Sequence, residues 1–215
     1  RRDGVKVPTV AEAVEQMIAD GITELIVQPT HVINGIENEL MKEDALAFCN
    51  AFASISFGTP LLTSESDNLS VIDAITKEFS HLGEDEALVL MGHGNDRGPG
   101  DLTLAAAAAA FHKADPHVWL ATVEGANSFD NVLPELKASG AKRVWLQPFM
   151  IVAGDHANND LAGPEEDSWA SRIKAAGMTP MPNLKGLGQL KGIQDIFLSH
   201  TQNAVVDLAN TKKAD

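Results

Sequence analysis

Cysteine occurs once in this chain and tyrosine not at all. A lone Cys49 closes no internal disulfide, and without a CxxC pair there is no thiolate metal site. Crossing a bilayer as a helix takes roughly 18 or more consecutive apolar residues, and no such run occurs. Basic side chains are scarce: 16 Lys and Arg against 30 Asp and Glu leave a formal charge of −14, with no basic cluster to offset it. Neither nucleic acid nor a membrane is therefore expected as a partner. An anionic substrate needs local positive charge, since the overall field repels it. The glycine-rich LKGLGQLKG lacks both GxxxxGK[ST] and GxGxxG spacing, so it is no nucleotide phosphate loop.

What remains is ample material for a core: 215 residues, 44% of them hydrophobic. Apolar runs of strand length alternate with helical patterns, which predicts βαβ units and a mostly parallel sheet. The candidate strands are 24–29, 55–62, 87–92, 117–123 and 143–149, with a weaker one at 178–184. Thr9 and Glu12 form a capping box ahead of AEAVEQMIAD. Asp101 is expected to cap LTLAAAAAAFHK, whose six alanines have the highest helix propensity available. GPEEDSWASRIKAAG reads as a helix with acids in its first turn and Gly177 as its stop. EDALAFCNAFA reads as an amphipathic helix that buries Cys49, and IQDIFLSHTQNAVVDLA as a final helix. Trp119, Trp145 and Trp169 are expected in the core.

An internal repeat organises these pieces. Gly21, Gln28, Pro29 and Gly35 recur as Gly140, Gln147, Pro148 and Gly154, each 119 residues further on. Each copy runs helix, glycine, strand, Gln-Pro, apolar segment, glycine and polar loop. Two similar α/β lobes facing a central cleft are the expectation, with the N-terminal strand of the first lobe missing because its counterpart falls before residue 1. The expected division is an N-terminal lobe at 1–82, a C-terminal lobe at 83–190, and a helix at 191–215 packing back on the first lobe.

The chemistry concentrates where strands end. His93 stands between two glycines directly after LVLMG, where the backbone turns tightly and a ligand can approach. His156 follows Gly154-Asp155 in a polar loop, with Asp155, Asn158, Asn159 and Asp160 as candidate partners for its ring. Glu124 closes WLATVEG, either as ligand or base or as the N-terminal anchor of the next helix. A parallel sheet gathers the C-terminal ends of its strands along one edge, where α/β proteins bind ligands. Two imidazoles and a carboxylate collected there suit a divalent transition metal and leave coordination positions open. His31 is expected to be packed; His81, His112, His117 and His200 are expected on the surface. Lys185, Lys191 and Arg97 sit on loops that could pair with substrate carboxylates.

MGHG, ATVEG, VLPELKASGAKRVWLQPFMIVAGDHANNDLAGPEEDSW, LKGLG and IQDIF together resemble the anaerobic sirohydrochlorin cobaltochelatase family, a class II tetrapyrrole chelatase. The likeness covers most of residues 1–205 and is most specific over 117–196. It implies two flavodoxin-like α/β lobes and the insertion of Co2+ into sirohydrochlorin on the early-cobalt route to cobalamin. It carries the family's metal ligands to His93, Glu124 and His156, which would act in catalysis as well. Co2+ is then the substrate metal, with Fe2+ as the alternative, and no organic cofactor is implied. Sirohydrochlorin or a related tetrapyrrole is the implied partner; self-association stays open. The expected location is the cytoplasm, with the periplasm as the alternative if a signal peptide precedes residue 1. Two departures stand out. The family begins with a strand ending in an SFGT-like turn, whereas SFGT here lies at 56–59. After MGHG the family has a short polar turn and a tyrosine-bearing helix, whereas this chain has NDRGPGDLTLAAAAAA. The rival functions are Fe2+ insertion into the same tetrapyrrole, a non-catalytic metal or haem carrier, and a zinc hydrolase.

Overall fold

The structure, a computed structural model, describes residues 4–94 and 100–211, with side chains excepted at 100, 101 and 206–211. It divides into two compact units, one of Arg1–Pro60 with Phe197–Asp215 and the other of Leu61–Ile196.

In the first unit, helix α1 (Val10–Ala19) starts on the expected capping box: Thr9 accepts from the Glu12 amide while the Glu12 carboxylate accepts from the Thr9 amide. Gly21 follows at φ +76, a left-handed turn that delivers the chain into β1 (Glu24–Val27). Helix α2 (Ile36–Leu46) leads to β2 (Ser54–Phe57), which pairs parallel with β1, Glu24 opposite Ser54 through Val27 opposite Phe57. Val14, Leu25, Ala45 and Phe52 form the core. The helix expected across residues 43–53 breaks after Leu46, and Cys49 opens a separate 3-10 turn where it is exposed, not buried. Phe52 takes the buried place instead, because a larger apolar side chain gains more from leaving water.

The second unit runs α3 (Glu65–Glu78), β3 (Glu86–Gly92), α4 (Gly100–Ala114), β4 (Val118–Thr122), α5 (Phe129–Ala138), β5 (Arg143–Pro148), α6 (Trp169–Ala175) and β6 (Thr179–Pro182). All four strands are parallel, in the spatial order β4-β3-β5-β6. Counted within the unit this order is 2-1-3-4, the flavodoxin-like doubly wound pattern. Strand β3 lies in the middle and is buried at all seven positions, as a strand covered on both faces must be. Val89, Met91, Val144, Leu146, Leu136, Ile173 and the Phe129–Trp169 stack make one continuous core. Truncating Leu146 to Ala there costs on the order of 2–5 kcal/mol. Helix α7 (Lys191–Thr211) begins in this unit, and its residues from Phe197 onward belong with the first.

Three local expectations are corrected. Helix α4 starts at Gly100, so Asp101 lies inside its first turn instead of preceding it as a cap. Glu165, Glu166 and Asp167 precede α6, and Ser168 caps that helix by accepting from the Ser171 amide. A hydroxyl at that place accepts a free helical N–H directly, which a carboxylate one residue earlier does not reach. His200 is buried, its Nδ1 hydrogen-bonded to the Thr59 carbonyl at 3.0 Å.

The repeat is visible in hydrogen bonds. Gln28 Nε2 donates to the carbonyls of Pro29 (2.8 Å) and Thr59 (2.9 Å). Gln147 Nε2 donates to the carbonyls of Pro148 (3.0 Å) and Lys185 (2.6 Å). In each unit one amide ties the strand end to the loop after the neighbouring strand. Gly21 and Gly140 share the same left-handed turn, at φ +76 and +80.

Candidate metal site

The chain leaves β3 for β4 on one side of the sheet and leaves β5 for β6 on the other. The gap between β3 and β5 is therefore the topological switch point, where a crevice opens beyond the carboxyl ends of the strands. His93 follows β3 and His156 follows β5, so the two histidines flank that point.

Backbone contacts set the first side. Past Gly92 the β3 chain stays paired with the end of β4: Val123 N donates to Gly92 O at 3.0 Å and Glu124 N to His93 O at 2.9 Å. Gly94 then turns at φ +84, and a Cβ there would stand 1.9 Å from the Glu124 carbonyl oxygen, so only glycine fits. Asn127 pins the loop beyond. Its Nδ2 donates to Leu120 O at 2.7 Å, and its own carbonyl accepts from Thr122 N and Oγ1 at 2.8 and 3.1 Å.

On the second side, the segment after β5 is held by LKGLG. Leu187 N donates to Met150 O at 2.8 Å and Gly188 N to Ile151 O at 3.0 Å. A Cβ on Gly186 would come within 2.3 Å of the Ile151 carbonyl oxygen. The glycines of this motif thus serve close backbone approach. The expected polar loop at His156 is instead a helical turn that widens into a π-turn at Ala157–Leu161. Asn158 closes it, donating from N (3.1 Å) and Nδ2 (2.7 Å) to Gly154 O. Gly163 N donates to Asn159 O at 2.9 Å. These bonds satisfy amides that a loop would leave to water, which is why the polar sequence curls into helix.

The two imidazoles meet edge to face, with centroids 4.9 Å apart and planes at 85°. His93 is exposed and His156 half-buried. His93 Nδ1 lies 3.1 Å from Gly94 O, and His156 Nδ1 lies 2.5 Å from Asp160 Oδ2. Both partners are acceptors, so in the neutral imidazoles Nδ1 is the nitrogen that carries the proton and Nε2 the one with the lone pair. Glu124 is exposed and is tied to His93 through backbone. Among the described residues no group of three or more His, Cys, Asp or Glu is disposed to hold a metal ion. The structure thus brings the two histidines together and sets Glu124 on the adjoining strand end.

Lys185 faces Glu78 at 3.8 Å and Lys191 pairs with Asp195, while Arg97 lies outside the described residues. His31 is half-buried, with Nδ1 enclosed and unpartnered among the described residues. His81, His112 and His117 are exposed, the first two beside Trp145 and Trp119. Trp119 and Trp169 are buried and Trp145 half-buried. Asn127 is a positioning group that the sequence patterns did not single out, and LKGLG is one whose part as a backbone clamp they did not show. An Asn within a strand-to-helix turn was the available signal for the first.

Residues 1–206 match the sequence model of the family described as cobalt chelatase (CbiK). The chain is 36% identical over 206 residues to sirohydrochlorin cobaltochelatase CbiKC of Nitratidesulfovibrio vulgaris, covering 93% of this chain and 72% of that one. It is 33% identical over 208 residues to the sirohydrochlorin cobaltochelatase of Salmonella typhimurium, covering 95% and 77%. Among solved structures, SirB from Bacillus subtilis with Fe3+ superposes with a TM-score of 0.68 at 17% identity, over 97% of this chain and 81% of that one. The sirohydrochlorin chelatase SirB from Bacillus subtilis subspecies spizizenii, in complex with cobalt, superposes with a TM-score of 0.59 at 15% identity, over 94% and 78%. These superpositions establish a shared fold.

Proposed function

Because the chain belongs to the cobalt chelatase (CbiK) family, we propose that it inserts Co2+ into sirohydrochlorin in cobalamin biosynthesis. In this reading His93 and His156 present the metal and Glu124 completes its donor set. The observation that carries it is the pair of imidazoles at the switch point, each with Nδ1 engaged and Nε2 left as a donor.

Insertion exchanges two pyrrole protons for one divalent cation, so the site must give up a metal and receive protons. Imidazole nitrogen suits Co2+, and few protein donors leave positions for the incoming pyrrole nitrogens. As the metal passes to the macrocycle, the freed imidazoles and the exposed Glu124 carboxylate are the acceptors for the displaced protons. No organic cofactor enters this exchange, since no electron or group is transferred.

The division into an N-terminal lobe, a C-terminal lobe carrying the donors and a closing helix belongs to the same reading. It is supported by the repeated Gln-Pro hydrogen bonds and by the presence of all three donors in one unit. Among the described residues no helix is long and apolar enough to cross a membrane. We propose the cytoplasm as the location of this activity.

Incubation with Co2+ and sirohydrochlorin, followed by absorbance, should show metallation at a rate above the protein-free reaction. His156→Ala should abolish that excess at neutral pH while leaving the circular dichroism spectrum unchanged, because the side chain is half exposed and supports no core. A fully active variant would move the presenting role away from His156. Fe2+ insertion is the second reading, because imidazole and carboxylate do not separate the two ions sharply. Equimolar Co2+ and Fe2+ in competition decide between them.

A further inference from the structure

We infer that Asp160 is a positioning residue for this site: its carboxylate holds His156 in the Nδ1–H tautomer and so reserves Nε2 for the metal. The inference rests on the proposed function for its purpose, but its geometry stands alone.

His156 Nδ1 and Asp160 Oδ2 are 2.5 Å apart and four residues apart in sequence. A free neutral imidazole has two tautomers, and a ring that is free to turn presents either nitrogen. A carboxylate at Nδ1 removes both freedoms. The helical turn brings residue 160 back under residue 156, and π-turns of this kind concentrate at functional sites. Gly163 secures the far end of the turn, since a Cβ there would lie 2.3 Å from Asn159 O.

The other polar neighbours do not serve. Asn158 spends its amide on the Gly154 and Ala153 carbonyls. Neither Asp155 nor Asn159 has a side-chain hydrogen bond to the ring among the described residues. Nor does the pair exist for stability. The two side chains are 38% and 45% exposed, and ion pairs so open to water contribute little to folding. A carboxylate that adds little to the fold, yet stands on the one nitrogen that must be occupied, acts on ring orientation. Carboxylate partners of this kind change metal affinity by about 10–100-fold when removed.

The first test needs neither metal nor variant. Two-bond 1H–15N correlation spectra of the full chain, with the imidazoles neutral, report which nitrogen of His156 carries the proton. The Nδ1–H form is expected to dominate; a predominant Nε2–H form overturns the inference. Next, Co2+ is titrated, followed by its visible absorption, into wild type, Asp160→Ala and Asp160→Asn. Asp160→Ala should bind about 10–100-fold more weakly with an altered spectrum and an unchanged unfolding temperature. Asp160→Asn retains an acceptor for Nδ1–H and should recover most of that loss. Binding by Asp160→Ala equal to wild type, or by Asp160→Asn as weak as the alanine variant, overturns the inference. His156→Ala serves as the control: if it binds Co2+ as wild type does, the proposed function fails, while the tautomer result is judged separately.

Discussion

Gly94 is where single atoms matter most. Its left-handed turn and the 1.9 Å approach of a would-be Cβ to the Glu124 carbonyl join the His93 and Glu124 strand ends into one rigid piece. Gly94→Ala should therefore cost at least about 2 kcal/mol, through left-handed strain plus a backbone clash. That corresponds to roughly 4–8 °C in unfolding temperature for a chain of this size. Gly154→Ala, with open space around its Cβ, should shift it by less than about 2 °C. Scanning calorimetry on the two variants separates close approach from generic glycine replacement. Glu86 has an equally specific environment. The Gly83 amide donates to it at 2.8 Å, Trp145 Nε1 at 3.4 Å and Arg143 Nε at 2.9 Å. These contacts, the Gly83 amide foremost, hold its carboxyl below the ordinary range against the opposing effect of burial. A depressed folded pKa contributes stability that is complete above about pH 4.5 and fades as pH falls through the lowered value. Unfolding temperature below pH 4.5 should thus decline less steeply for Glu86→Gln than for wild type.

At the scale of elements, the two glutamines tie strands to loops. Gln147 is fully buried, donates to the Pro148 and Lys185 carbonyls, and accepts from Asn183 Nδ2 at 2.8 Å. Gln147→Leu keeps the volume but orphans those partners, at about 1–3 kcal/mol. Gln28→Leu removes the parallel pair of bonds to Pro29 and Thr59 in the first unit, where one contact is exposed, and should cost less. Urea unfolding of both variants checks that order; equal losses would show that burial does not set the cost. The Lys185 carbonyl held by Gln147 stands directly before the Gly186 clamp on Ile151, so the glutamine also steadies the approach to His156.

At the scale of the whole molecule, a charge of −14 draws cations toward the chain and repels an anionic substrate. The screening length is about 10 Å at 0.1 M salt and about 3 Å at 1 M. The association rate of Co2+ should therefore fall several-fold between 10 mM and about 0.5 M NaCl, while metal transfer from a preloaded protein stays unchanged. Stopped-flow absorbance distinguishes the two phases. A salt-independent association rate would show that the metal meets only local donors.

Much of this architecture was legible in the residues alone. The six strands among the described residues lie inside or within one residue of their apolar runs; β3 and β4, buried at every position, show why such runs are apolar throughout. The Thr9–Glu12 capping box and the left-handed glycines Gly21, Gly140 and Gly177 were equally legible, since each is a local contact or a backbone conformation. So was the placement of His93, Glu124 and His156 beyond strand ends. What local pattern could not show is anything that depends on a partner distant in the chain. Cys49 is exposed while Phe52 lies in the first core, and the buried His200 is hydrogen-bonded to a carbonyl at residue 59. The LKGLG glycines lie against a backbone more than thirty residues earlier. Strand order, and with it the switch point that sets His93 against His156, follows from which strand pairs with which. That is a property of the packed sheet, so only the tertiary structure decided that the two imidazoles meet and that Glu124 stands on the neighbouring strand end.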